Sequence, residues 1–502
     1  MGDFIIIYMK RLYHILKRNK IHKSKKIICT KKQLLEKHIY YEDYVASIYN
    51  EIVNYQNSIN NELNEPSIYF TGYSILSYNG DRMGKVLGRD GKIYRGIYPE
   101  SVPSFRKLWS TGLLQILGEH NLIPRTIITD YFSDEYPIIL EHQTVDISVS
   151  SLWNTEMIKD AAILICLIKQ IAQRVGFTLH DGHINNVSFE KGQPIFTDIG
   201  SIVEDQGQAT ICDREILFTA IYRLIFHFLG NSLLKHIQLY DETNNAIWVS
   251  PRFYDDLVRE YVHALNVYER YHLFHSSWQC NRIIYRMFRR YEVLPEYIDC
   301  LFPMISEKEK EFDDSIYMDI EVLGDELEKA DITFHSIVDV GGNSGKLVRV
   351  FYSKFKCRTI ALENDDTESG IIYKHCVKDN IPINTFVFHY LYGASDEKLK
   401  SIRGDIAVCL DLTHSNVAYQ RFKADSLFNS LCKLSNRYVA ISYYPNKEKV
   451  LKYDPYLRKD GTEDIGMFEN VFRSFFDIVI RKEIGDRNSR NFRILYVGRK
   501  NG

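Results

Sequence analysis

Short apolar runs alternate with helical stretches through residues 326–502. Ile337-Val338-Asp339-Val340 is an apolar run holding one acid, closed by Gly341-Gly342-Asn343-Ser344-Gly345. The run predicts a buried strand, and the glycines predict a tight turn that a ligand can approach closely. From Lys346 to Lys354, Leu347, Val348 and Phe351 keep helical spacing. The next run, Thr359-Ile360-Ala361-Leu362, ends in Glu363, 18 residues after Gly345. Further strands are predicted at Asn384–Phe388, Asp405–Leu410 and Tyr438–Tyr444, with a closing hairpin of Phe476–Ile480 and Phe492–Val497. Strands alternating with helices predict a mostly parallel, seven-stranded α/β unit.

The first half has a different rhythm. Residues 1–66 read as a basic helical extension, with eight Lys and Arg residues between Lys10 and Lys26 beside Phe4-Ile5-Ile6-Ile7-Tyr8. Short β-rich runs follow at 74–77, 84–88 and 92–98, with a hairpin signal at Asp90-Gly91. Alternation places Ile93, Arg95 and Ile97 on one face. A helix is predicted over 103–118, two strands at 124–130 and 137–141, and a helix with a buried face from Trp153 to Arg174. Residues 205–325 are helical and aromatic-rich. The division is therefore 1–66, 67–325 and 326–502.

The strand–turn–helix–strand unit ending in an acid is a nucleotide-binding arrangement, the acid gripping ribose hydroxyls. A dinucleotide site needs a glycine where Asn343 stands, so that pyrophosphate can sit on the backbone. S-adenosyl-L-methionine has a ribose and an adenine but no phosphate. Asp339, Gly341, Asn343, Gly345 and Glu363 therefore resemble the class I methyltransferase fingerprint, with an ordinary βαβ turn as the plain alternative.

A second constellation lies upstream. Asp181 and Asn186 are five residues apart, and Asp198, followed by Ile-Gly, comes twelve after Asn186. With the β-β-β-α-β-β order before them, this is the pattern of a protein kinase: one Asp orients the attacking hydroxyl, and Asn and the second Asp hold magnesium on ATP. Arg95 stands where the small-lobe lysine is expected, and the predicted helix has no clear mid-helix Glu. The fold is then a two-lobed kinase-like region followed by a Rossmann-like class I methyltransferase domain. The kinase-like region is either active or a degenerate scaffold.

Composition narrows the classes. The chain has 502 residues, 45% hydrophobic and 25% charged, with a net charge of −2. No basic excess favours nucleic acid. Nine cysteines without a C-x-x-C pair argue against structural zinc or a disulfide framework and suit a reducing cytoplasm. No apolar run reaches the roughly 18 residues of a membrane span. The basic N-terminus fits an anionic membrane surface or a helix docked on its own protein.

Gly91-Lys92-Ile93-Tyr94-Arg95, Met157-Ile158-Lys159-Asp160-Ala161-Ala162, Gly176-Phe177-Thr178-Leu179-His180-Asp181, Asn186-Val187-Ser188-Phe189 and Gly192-Gln193-Pro194-Ile195-Phe196-Thr197-Asp198 resemble a family of bacterial class I methyltransferases. Its members carry an N-terminal kinase-like region and sit with capsule, O-antigen or nodulation genes. The resemblance spans roughly residues 70–500. It implies a methyl-donor site at Asp339, Gly341, Asn343, Gly345 and Glu363. This chain has His180 for the family's Lys, His389 for an Asp, Ser442 for a Glu, and His414 beside Ser415 for a His-His pair. The expected activity is O-methylation of a sugar or phosphate group of a surface glycan or its precursor. His414 is the candidate base for a sugar hydroxyl, and phosphorylation of the acceptor by the kinase-like region is the bifunctional version. Expected partners are the glycan acceptor, glycan-assembly enzymes and the inner membrane face. The competing reading is a catalytically degenerate scaffold.

Overall fold

The computed structural model describes residues 31–58, 65–77, 82–145, 150–190, 192–207, 211–221, 224, 286–287, 292–301, 314–342, 344–388, 396–410, 424–445, 465–489 and 491–501. The basic run, Asn343, His389, His414 and Ser415 lie outside the described residues.

Part of the stretch expected to be an extension is core. Helix α1 (Lys31–Ser58) places Tyr41, Val45, Ile48 and Ile52 on one face, and all four are buried. Each such side chain stabilises by about 1.5–3 kcal/mol. Its charged outer face hid this role. Lys37 pairs with Asp299, and His38 Nδ1 lies 2.9 Å from Glu296 Oε1.

Next come β1 (Ile68–Tyr69), β2 (Ser74–Ile75), β3 (Gly84–Arg89) and β4 (Lys92–Ile97), then α2 (Val102–Ser110) and α3 (Leu113–Glu119). The single helix expected over 103–118 is broken at Gly112, whose φ is +74°. A Cβ there would meet the Tyr55 ring of α1 at 2.5 Å. Strands β5 (Thr126–Ile128), β6 (Tyr131–Phe132) and β7 (Ile138–His142) complete a five-stranded antiparallel sheet of order β2-β3-β4-β7-β5, with β1 and β6 paired beside it. The face carrying Ile97 and Leu140 is buried, and Arg95 on that face is 3% exposed.

Helix α4 (Thr155–Arg174) starts at Asn154, whose side-chain oxygen accepts from Met157 N at 2.9 Å. Short strands β8 (Phe177–Leu179) and β11 (Ile202–Glu204) pair across it, and β9 (Val187–Glu190) and β10 (Gln193–Phe196) form a hairpin. Helices α5 (Ile211–Ile216) and α6 (Pro295–Leu301) pack nearby. Cys300 in α6 is disulfide-bonded.

Helix α7 (Asp314–Lys329) leads into the C-terminal sheet: β12 (Ser336–Val340), α8 (Lys346–Phe355), β13 (Arg358–Glu363), α9 (Asp366–Lys378), β14 (Asn384–Val387), α10 (Asp396–Ile402), β15 (Gly404–Cys409), α11 (Ala424–Leu434), β16 (Ser435–Tyr443), α12 (Ile465–Arg473), β17 (Phe476–Ile484) and β18 (Arg493–Lys500). The strand order is β14-β13-β12-β15-β16-β18-β17, and only β18 runs against the others. The inner strands β12, β13 and β15 are buried along almost their whole length, as in a parallel sheet covered on both faces, whereas the edge strand β17 exposes Asp477, Arg481 and Lys482.

The two parts of the chain share one hydrophobic cluster, which includes Trp153, Phe189, Tyr373 and Phe386. The Phe189 ring packs edge-on against Trp153 and Tyr373, at 4.9 and 6.0 Å. Beside them, Lys374 Nζ lies 2.9 Å from Glu156 Oε2, both residues almost fully buried. No helix among the described residues is long and apolar enough to cross a membrane.

Candidate active site

In an open parallel sheet, ligands bind beyond the carboxyl ends of the strands where the order reverses. Here that place is the end of β12, with β13 on one side and β15 on the other. The chain leaves β12 through Gly341, at φ +82°, and enters α8 through Gly345, at φ +71°. The amides of Gly341 and Gly342 donate to Leu362 O at 2.8 and 3.0 Å, fastening the turn to the end of β13. A Cβ on Gly345 would lie 2.6 Å from Ile372 Cγ2 of α9. The turn therefore depends on this glycine for both conformation and space.

Asp339 of β12 and Glu363, at the end of neighbouring β13, are both at this end of the sheet. Asp339 is 5% exposed. Burial pushes its carboxyl up to about 7, and the Glu363 charge adds to the effect. Glu363 Oε1 accepts from the amides of Asn364 and Asp365 at 2.7 and 3.3 Å, at the head of α9. Two carboxylates around a glycine turn repel a pyrophosphate and favour a cation and ribose hydroxyls. Of the other expected contacts, Asn343 and His414 lie outside the described residues.

Part of the upstream constellation is brought together. Arg95 from β4 reaches Asp198, its Nη2 3.4 Å from Oδ1. Asp198 also accepts from Gly200 N at 3.1 Å and from Ser201 Oγ at 2.5 Å. Asn186 and Thr197 face each other at the open end of the β9–β10 hairpin, where Thr197 N donates to Asn186 O at 2.7 Å. The Asn186 Nδ2 atom is buried with no hydrogen-bond partner among the described residues. Asp181 Oδ1 accepts from His183 N at 2.9 Å.

Three neighbours were not anticipated. Burial and the Asp181 charge raise the Glu215 carboxyl above its usual range, so α5 brings a second acid toward Asp181. Ser201 holds Asp198 from three residues downstream, a spacing that could have been noticed. His142, at the end of β7, is held neutral by burial and by Arg95, its pKa pushed down to about 3. Its Nδ1 lies 2.8 Å from Thr126 Oγ1.

No protein-family model matches the chain, and no curated protein matches it. Among solved structures, magnesium protoporphyrin IX methyltransferase from Synechocystis PCC 6803 is 12% identical and covers 38% of this chain and 90% of its own, at a TM-score of 0.30. The N-methyltransferase NodS from Bradyrhizobium japonicum WM9 is 9% identical and covers 38% of this chain and 99% of its own, at 0.30. The bifunctional kinase-methyltransferase WbdD is 12% identical and covers 39% of this chain and 44% of its own, at 0.29.

Proposed function

We propose that residues 326–502 transfer a methyl group from S-adenosyl-L-methionine to an oxygen of a sugar or phosphate group on a surface glycan or its precursor. The observation that carries the donor assignment is the pair Asp339 and Glu363 at the ends of neighbouring parallel strands, around the Gly341–Gly345 turn. An acid lifted to about 7 by burial, with the charge of a second acid adding to the effect, suits a cationic ligand, which relieves both the burial cost and the repulsion. In this reading Asp339 faces the cationic end of the donor, Glu363 accepts from its ribose hydroxyls, and Gly341, Asn343 and Gly345 let the backbone come close. The bound donor supplies an already activated methyl on its sulfonium. The protein's task is then to hold the acceptor oxygen in line with it. A phosphate oxygen needs no base. For a sugar hydroxyl, His414 is the candidate to take the proton.

We further propose that residues 67–325 are a kinase-like module that phosphorylates the acceptor. What supports this is the sheet order β2-β3-β4-β7-β5, with a helix between its third and fourth strands in chain order as in a kinase small lobe, and the approach of Arg95 to Asp198, which sets a cation beside the acid proposed to hold magnesium. The oxygens of Asn186 and Asp198 suit magnesium in kind, and Arg95 suits phosphate. Asp181 would orient the acceptor hydroxyl. The engagement of Asp198 by Arg95, Gly200 and Ser201 favours the second reading, a degenerate nucleotide-binding scaffold. The proposed setting is the cytoplasm, at the inner membrane face, with glycan-assembly enzymes as partners and the basic N-terminus toward anionic lipid.

The bifunctional version is tested with Asp181→Asn. It should lose phosphorylation of the acceptor while methyl transfer to a pre-phosphorylated acceptor persists. An ATP-independent methyl transfer that Asp181→Asn leaves unchanged would overturn it.

A further inference from the structure

Helix α9 lies between the donor turn and the N-terminal module. On one side, Ile372 packs against the glycine turn, in contact range of any Cβ placed at Gly342 or Gly345. On another, Asp366, Ser369 and Tyr373, spaced at three and four residues, face α4 and the β9–β10 hairpin. Asn154 Nδ2 donates to Ser369 Oγ at 3.1 Å and to Thr385 Oγ1 of β14 at 3.3 Å. Thr155 N donates to Asp366 Oδ1 at 3.0 Å. Tyr373 OH donates to Asp160 Oδ2 at 2.9 Å. The hairpin itself rests on this side of the C-terminal part: Phe189 packs on Tyr373, and a Cβ on Gly192 would be 2.9 Å from Ile383 O. That hairpin separates Asn186 from Asp198 in the chain.

These contacts surround the short turn from Glu363 to Asp366. Its amides hold the Glu363 carboxylate, and its next residue takes the α4 amide. Asn154 is completely buried and performs two tasks at once. Its oxygen caps α4, and its amide nitrogen reaches α9 and β14. An amide side chain in this place serves the C-terminal part as well as its own helix, because a serine would cap as effectively.

We propose that Asn154 is a positioning residue of the donor site: the N-terminal module, acting through Asn154 and Asp366, sets the turn that carries Glu363. This rests on the donor reading above. Its consequence is reciprocal. Donor bound at Glu363 tightens the head of α4 and the hairpin between Asn186 and Asp198, so the two sites are linked through α9.

The test uses the full chain, S-adenosyl-L-methionine as probe, calorimetric titration and hydrogen exchange. Asn154→Ser keeps the α4 cap and drops both bonds to the C-terminal part. It should weaken donor binding about five- to tenfold and abolish donor-induced protection of residues 154–160 and 187–196. Asp366→Ala should do the same, whereas Asp366→Asn, which retains the accepting oxygen, should bind as wild type does. Ile52→Ala thins the core away from α9. It should lower the thermal midpoint without changing donor affinity, which separates positioning from stability. Wild-type affinity in Asn154→Ser, or donor-induced protection confined to residues 336–388 of the wild type, would overturn the positioning role alone. A wild-type chain that binds no donor would instead overturn the donor reading on which it rests.

Discussion

Replacing Gly345 by alanine tests the geometry of the donor turn. Two costs are separable. At φ +71° an L side chain is strained, by about 1–2 kcal/mol. The added Cβ also falls 2.6 Å from Ile372 Cγ2 and 3.4 Å from Ile372 Cβ and Cγ1. Ile372 is a buried, β-branched helical residue, so it has almost no other χ1 rotamer to adopt. The overlap has to be relieved by moving α9, which costs about 1–3 kcal/mol more. Gly176 provides the control. Its φ is +82° but nothing lies within 4 Å of a Cβ there, so Gly176→Ala incurs the conformational cost alone. For a unit of about 150–250 residues each kcal/mol is about 2–4 °C in midpoint. Thermal unfolding followed by circular dichroism, with a donor titration alongside, should find Gly345→Ala several degrees below Gly176→Ala and impaired in donor binding. Equal midpoints, with donor binding intact in both, would refute the close packing of α9 on the turn.

Because Asp339 titrates at about 7 in the folded chain and near 4 when unfolded, the folded state retains a proton that the unfolded state has released. Stability of the free chain should therefore fall as pH rises from about 4 to about 7, by up to about 4 kcal/mol, and Asp339→Asn should flatten that slope in pH-dependent unfolding. A cationic donor prefers the carboxylate, so its affinity should rise with pH through the same window. Lys374→Met takes from the buried Glu156 carboxylate its 2.9 Å partner and leaves it Lys159 at 3.4 Å, so it should cost about 1–3 kcal/mol in denaturant melts, partly recovered in the double variant with Glu156→Leu. Asp198→Asn should abolish the heat of magnesium–ATP binding and leave donor binding unchanged, measured by titrating each ligand separately.

The donor half was the most legible part. Continuous apolar runs closed by glycines or an acid identify β12 and β13 to within one residue, because a parallel strand buried on both faces leaves no polar position to blur its ends. The break at Gly112 was missed, since helical periodicity runs through it and only the Tyr55 ring of α1 explains the left-handed residue. The buried role of α1 was visible in the spacing of Tyr41, Val45, Ile48 and Ile52, but the charges around them pointed outward. What periodicity cannot carry is the pairing of distant residues. Asn154 and Ser369 are 215 positions apart, and nothing local to either marks it as part of a shared boundary. The same holds for Glu215, whose approach to Asp181 depends on the packing of α5.

The measurement that bears most directly on the central claim is a titration of S-adenosyl-L-methionine into the purified chain, repeated with Asp339→Ala and Glu363→Ala. Saturable binding to the wild type and its loss in each variant are expected, with circular dichroism confirming that both remain folded. Absence of binding to the wild type, or binding that survives both substitutions, would contradict that claim.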